Sequence, residues 1–317
     1  MVPTKHAFPD SFFSEEDRLG FHIDRQRKEL WAVELDMLYE LDRVCKKLGV
    51  SYFLEAGTLL GAARDGRFIP WDDDIDVSML RKDYDRFIRE APKEFQYPYF
   101  LQTGYTEENY FRGHSQLRRS DTCAILPFEL GRLSFNQGVF MDIFVLDELF
   151  PEKLREQYRE QGELFRRKRE WNHHDYHRNP IRWGVRWTRF LLYRARFPDS
   201  AAFYRRWERI FRSPEKSRWV DSLMFFNSPD MTHPFEHAWV DETVSLPFEG
   251  GLFPAPVGYR EYLALYYGAD WQTPRSAPSI HGAEGKPILD LNRSYKDVLR
   301  DRNADSPPSA SPSAIKR

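Results

Sequence analysis

Between Gly57 and Met79 the sequence reads GTLLGAARDGRFIPWDDDIDVSM: two glycines four apart, a turn, then four aspartates among five residues. Carboxylates this close repel one another and are expensive to desolvate, so a cation is expected among them. If Ile75 to Met79 form a strand, side chains alternate, and Asp74 and Asp76 point to one side roughly 6 to 7 Å apart at the backbone. Ile75 and Val77 then point into a core. If the strand reaches that far, Asp72 shares the parity of Asp74 and Asp76; Asp73 has the opposite one. Asp142 interrupts the apolar run VFMDIFVL (139–146) and is a third carboxylate for the same site. Oxygen-only donors favour Mg²⁺ or Mn²⁺ over zinc. The competing readings are a solvated acidic turn and, for Asp142, a paired structural carboxylate.

Other assignments of these residues fail on spacing. A calcium loop starting at Asp72 needs glycine and glutamate where Val77 and Asp83 stand. GTLLGAAR has no Lys-Ser/Thr after its second glycine, and GAEGKP (282–287) has proline in place of the hydroxyl residue, so neither is a phosphate-binding P-loop. A Gly57-Thr58 turn at a helix start can still present backbone N–H groups to a phosphate, with Arg64 as a bidentate clamp. His173, His174 and His177 lack the third protein ligand that a zinc site requires.

The elements that would position these residues follow from periodicity. Leu30, Val33, Met37, Leu41, Val44 and Leu48 recur at three- and four-residue steps, which predicts a helix from about Arg25 to Leu48, stopped by Gly49. Ser14 and Asp17 resemble a weak capping box before it. Val50 to Leu54 reads as a short strand, the stretch from Gly57 as a short helix ending near Asp65-Gly66, and Asp83 to Arg89 as a helix. Val139 to Leu146 reads as a strand buried on both faces. Residues 246–292 look loop-like.

Hydrophobic residues make up 41% of the 317 and aromatics 16%, enough for a real core; the net charge of −2 and the lack of any recognition module argue against a nucleic-acid partner. Two cysteines, no apolar leader and no long apolar run predict a cytoplasmic protein, at most peripheral at the inner face of the membrane. Residues 151–220 hold 19 Lys/Arg against 9 Asp/Glu, an excess of +10. Arg182, Arg186 and Arg189 share a face of a predicted helix whose ordinary fate is to pack on the domain. Peripheral membrane contact through 181–197, or a grip on an anionic glycan, are the alternatives. The organisation expected is a flexible lead-in (1–13), a core (14–150), a helical and loop-rich extension (151–300) and a disordered tail (301–317).

YFLEAGTLLGAARDGRFIPWDDDIDVSM (52–79), NQGVFMDIFVLD (136–147) and LPFEGGLFPAPVGYREYLALYYGADW (246–271) resemble the sequence blocks of the LicD family, which includes fukutin and the fukutin-related protein. The resemblance implies an α+β fold: a nucleotidyltransferase-type core, a small mixed β-sheet with flanking helices, plus a helical, basic C-terminal extension. It implies metal-dependent transfer of a phospho-alcohol, phosphocholine first, from a CDP-activated donor to a hydroxyl of a cell-surface glycan or lipid-linked glycan, as in lipopolysaccharide modification. By the family motif, Asp74, Asp76 and Asp142 are metal ligands. Gly57, Thr58 and Arg64 line the donor phosphates; Arg118 and Arg119 are further candidates for the phosphates, with solvated surface charge as their other reading. Asp142 or Asp72 is the general base. An NTP-using nucleotidyltransferase and a non-catalytic glycan- or membrane-binding relative are the other readings.

Overall fold

The computed structural model describes residues 3–108, 110, 112–126, 135–159, 162, 180–196, 199–222, 233–275 and 288–305. The helices whose bounds are described are α1 (Arg25–Leu48), α2 (Ala56–Asp65), α3 (Arg81–Glu90), α4 (Pro180–Arg196), α5 (Ser200–Trp207), α6 (Tyr259–Tyr267) and α7 (Tyr295–Asp305). The strands are β1 (Glu16–Arg18), β2 (Phe21–Ile23), β3 (Phe53–Leu54), β4 (Asp76–Leu80), β5 (Tyr99–Gln102), β6 (Ser115–Arg119) and β7 (Cys123–Ile125). They continue with β8 (Val139–Leu149), β9 (Trp219–Asp221), β10 (Phe235–Glu236), β11 (Thr243–Phe248), β12 (Gly251–Pro256) and β13 (Ile288–Asp290). Helices and strands are interspersed, an α+β arrangement.

β8 is the spine of a seven-stranded mixed sheet. One edge pairs in parallel with β4, which continues antiparallel to β3. Along the other edge its first half pairs with β6 and its last residues with β9, both antiparallel. β5 extends β6, and β10 extends β9. β8 is apolar almost throughout and buried except at Glu148, as expected for a strand covered on both faces. Strands from both sides of residue 150 thus share one sheet.

α1 forms as its periodicity predicts. Asp24 caps it by accepting from the Arg27 amide at 2.8 Å, and Gly49 ends it in the left-handed region, φ 61°. The capping box expected at Ser14–Asp17 is absent; Glu16–Arg18 instead form β1, paired with β2. The lead-in packs on α1 rather than hanging free: the His6 ring stacks on Tyr39 at 3.9 Å, and Lys5 pairs with Glu40 at 3.1 Å. Residues 243–256 form a hairpin, not a loop. Its two-residue turn, Glu249-Gly250, has φ of 46° and 84°, the sign that a tight hairpin turn requires. The hairpin docks on the end of α2, where Glu249 Oε1 accepts from the Phe68 amide at 2.9 Å. α6 follows, and α7 runs to Asp305, past the start of the expected tail. Cys45 and Cys123 are buried and unbridged. Among the described residues no helix is long and apolar enough to cross a membrane.

Candidate active site

The site is built on one row across the sheet. Asp76 pairs with Asp142 in the parallel β4–β8 register, Asp142 with Gln116 across β8–β6, and Gln116 with Gln102 across β6–β5. Directly opposed residues point to the same face, so four polar side chains stand in line on a sheet otherwise rich in apolar residues. Neighbouring strands lie about 4.8 Å apart, which sets the backbone spacing of Asp76 and Asp142.

Asp72, Asp73 and Asp74 precede β4 in a non-strand segment. A turn bonds the Asp72 amide to the Ile69 carbonyl at 2.9 Å, and Arg27 Nη1 (2.6 Å) and Trp31 Nε1 (3.1 Å) on α1 both donate to the Asp72 carbonyl. The strand parity expected for these residues therefore stops at Asp76. Asp73 turns in with its neighbours, and carboxylate oxygens of Asp72, Asp73 and Asp74 all lie within 4.8 Å of one another. Pro70 and Trp71 form a turn ahead of the segment, which joins the sheet only at Asp76.

The electrostatics are those of crowded carboxylates. Asp76 is pushed up by burial and then by repulsion from Asp74, Asp142, Asp72 and Glu55. Asp142 moves the other way. Burial raises it, but His114, Arg112 and the Gln116 amide outweigh that and hold it ionised. His114 Nε2 lies 3.5 Å from Asp142 Oδ1, and Gln116 Nε2 donates to the same oxygen at 2.5 Å. Glu55, before α2, is buried, accepts from the Tyr262 hydroxyl, and is pushed up to about 7, chiefly by burial. Glu34 on α1 is buried and raised by desolvation and by Asp74, Asp73 and Asp72. A half-buried Asp76 facing this much negative charge fits a bound divalent cation, and an all-carboxylate donor set fits Mg²⁺ or Mn²⁺.

The other expected site residues take different places. The Thr58 hydroxyl accepts from the Asp76 amide at 2.9 Å, tying α2 to the start of β4. Gly57 makes room for Asp72: a Cβ there would sit 2.3 Å from Asp72 Oδ2. Arg64 donates from Nε to Asp65 at 2.8 Å, and its buried Nη2 has no hydrogen-bond partner among the described residues. Arg118 and Arg119, expected to meet donor phosphates or bulk water, are both inside the fold. Arg119 pairs with Asp36 (2.7 Å) and Asp121 (2.9 Å). Arg118 donates to Gln102 Oε1 (2.8 Å), the Gly138 carbonyl (2.8 Å) and Gln116 Oε1 (2.7 Å), and its guanidinium lies 4.7 Å from the Phe140 ring centre. By holding Gln116 Oε1, Arg118 leaves the Gln116 NH₂ facing Asp142. His173, His174 and His177 lie outside the described residues.

Sequence reasoning missed Asp73, Glu34, Glu55, His114 and Gln116. Glu34 carried a signal, since it sits at i+4 from Leu30 and i−3 from Met37 on the apolar face of α1. Glu55 stood beside the glycine motif. His114 and Gln116 reach Asp142 only through strand pairing, which leaves no local trace.

Residues 49–154 match the family model described as LicD/FKTN/FKRP, nucleotidyltransferase domain. The chain is 36% identical over 120 residues to the lipopolysaccharide cholinephosphotransferase LicD of Haemophilus influenzae, covering 38% of this chain and 44% of that protein. It is 29% identical over 116 residues to the uncharacterized protein RP689 of Rickettsia prowazekii, covering 37% of this chain and 39% of that one. Ribitol 5-phosphate transferase FKRP of Homo sapiens is 52% identical over 40 residues, 13% of this chain and 8% of that one. The chain thus matches less than half the length of each of these relatives. The glycine motif, the acidic segment, β4, β6 and β8 all fall inside the residues that match the LicD family model.

Proposed function

We propose that the chain is a metal-dependent phosphotransferase. It moves a phospho-alcohol, phosphocholine first among the candidates, from a CDP-activated donor to a hydroxyl of a cell-surface glycan or glycolipid. The observation that carries this reading is the meeting of Asp76 and Asp142 in register with Asp72, Asp73 and Asp74 gathered beside them. The similarity to a cholinephosphotransferase and a ribitol 5-phosphate transferase supports the reaction class.

Asp74, Asp76 and Asp142, with Asp72 beside them, would hold the cation. A divalent ion bound there neutralises the donor diphosphate and the departing CMP. His114 and Gln116 keep Asp142 ionised and fixed in direction. Thr58 fixes the Asp76 backbone, and Arg27 and Trp31 fix that of Asp72. Arg64 supplies a guanidinium for the donor phosphates. The acceptor hydroxyl attacks the distal phosphorus, the bond from that phosphorus to the bridging oxygen breaks, and CMP leaves; the hydroxyl proton passes to Asp142 or Asp72. The nucleotidyltransferase-type core, the basic C-terminal extension and the cytoplasmic setting belong to the same proposal.

The test is CMP release by purified protein from CDP-choline, CDP-ribitol, CDP-glycerol and CDP-ethanolamine, each with Mg²⁺ and with EDTA, beside a set of NTPs. Metal-dependent CMP release from one CDP-alcohol, reduced at least about a hundredfold by Asp74→Asn in a folded protein, is expected. Normal turnover by Asp74→Asn overturns the metal assignment. Turnover of an NTP alone moves the chain to the nucleotidyltransferase reading.

A further inference from the structure

Four aliphatic residues of α4 face solvent. Ile181, Val185, Leu191 and Leu192 are 49 to 76% exposed. Ile181, Val185, Thr188 and Leu192 follow i, i+4, i+7 and i+11, so they form one stripe along the helix, bordered by Leu191. A helix that packed on the domain through this stripe would bury it. Thr188 is the polar member, and its hydroxyl donates to the Gly184 carbonyl at 3.0 Å within the helix. Its donor is therefore already satisfied when the stripe leaves water.

Charge decides what covers the stripe. The helix carries five arginines and no acidic residue, within a stretch (151–220) whose excess is +10. A second copy laid on this helix would bring ten arginines together with no carboxylate on either helix, a like-charge juxtaposition that opposes self-association. An anionic surface satisfies both faces at once: apolar side chains enter the acyl boundary while arginines meet phosphate headgroups. Trp187, also exposed, is a residue type that favours that boundary. At 17 residues the helix is about 25 Å long and too charged to span, so it lies in the interface.

We propose that α4 docks this protein on an anionic lipid surface through Ile181, Val185, Leu191 and Leu192, with its arginines on the headgroups. The inference is independent of the reaction proposed above.

The test is flotation of the full chain with vesicles of phosphatidylcholine alone and of phosphatidylcholine mixed with phosphatidylglycerol, at low and high salt. Sedimentation velocity without lipid is run in parallel. The expected result is a monomer that floats with the mixed vesicles, is released by salt, and fails to float with neutral ones. Leu191→Asp/Leu192→Asp, at exposed positions, abolishes flotation with thermal unfolding unchanged. Arg189→Gln weakens binding about fivefold. No flotation by the wild type, or flotation equal in the double variant, overturns the proposal. A dimer that the double variant dissociates also overturns it, by assigning the stripe to a second copy.

Discussion

Gln116 and Asp142 face each other across β6 and β8, and the Gln116 amide donates to Asp142 Oδ1 at 2.5 Å. An amide can flip, which would set an oxygen against the carboxylate. Arg118 prevents it by donating to Gln116 Oε1 at 2.7 Å. A sequence expectation that placed Arg118 on a substrate phosphate is thereby replaced by one that places it two bonds behind the carboxylate.

Arg118→Met and Gln116→Leu should each weaken Mn²⁺ binding about tenfold or more, the usual effect of removing a group that orients a ligand. Because both act through one hydrogen-bonded chain, the double variant should be little worse than either single one. Calorimetric titration with Mn²⁺ measures all three. Additive losses, or unchanged affinity in either single variant, would refute the chain.

Gly57→Ala separates fold from site. Within a helix the change is ordinarily stabilising by roughly 0.5–1 kcal/mol. Here the new Cβ would meet Asp72 Oδ2 at 2.3 Å, and the carboxylate of a short side chain can swing away more easily than the helix can move. The expected outcome is an unchanged or raised Tm with CMP release down about tenfold or more. A variant with full activity would remove Asp72 from the site.

Asp221 on β9 is buried and pushed up to about 7, first by burial and then by Asp147, against the amides of Ser222 and His233 and the Tyr266 hydroxyl. The folded chain keeps a proton that the unfolded chain, with an ordinary value of 3.8, gives up. Its contribution to stability is complete below about pH 4, declines as pH rises, and is gone above about pH 7. Asp221→Asn should flatten that decline and raise stability at about pH 8 by on the order of 1–3 kcal/mol. Urea unfolding across this range, with EDTA present, reads it. A variant whose pH profile matched the wild type would discard the assignment.

What could be read in advance had local causes. α1 between its cap and Gly49, the buried strand around Asp142, and the crowding of carboxylates at 72–76 follow from periodicity and composition. The strand does not reach back to Asp72, so its parity does not extend there; Arg27 and Trp31, on a distant helix, hold that segment out of the sheet. The hairpin at 243–256 carried its Glu-Gly-Gly turn in plain view, but its prolines gave the stretch the composition of a loop. Arg118 and Arg119 look like surface residues in a basic segment; only pairing of β6 with β8 and the Asp36 carboxylate on α1 bring them inside.

β8 gives its first half to the carboxylate row and its last residues to β9. The familiar motifs end near residue 154, yet a fragment trimmed to 49–154 would leave Asp147 to Leu149 as a bare strand edge. It would also remove Asp36 from Arg119 and Tyr262 from Glu55. Open edges template pairing between molecules, so such a fragment is a seed for aggregation rather than a minimal enzyme. The borders of the recognisable motif are not the borders of the smallest piece that can be expressed and purified.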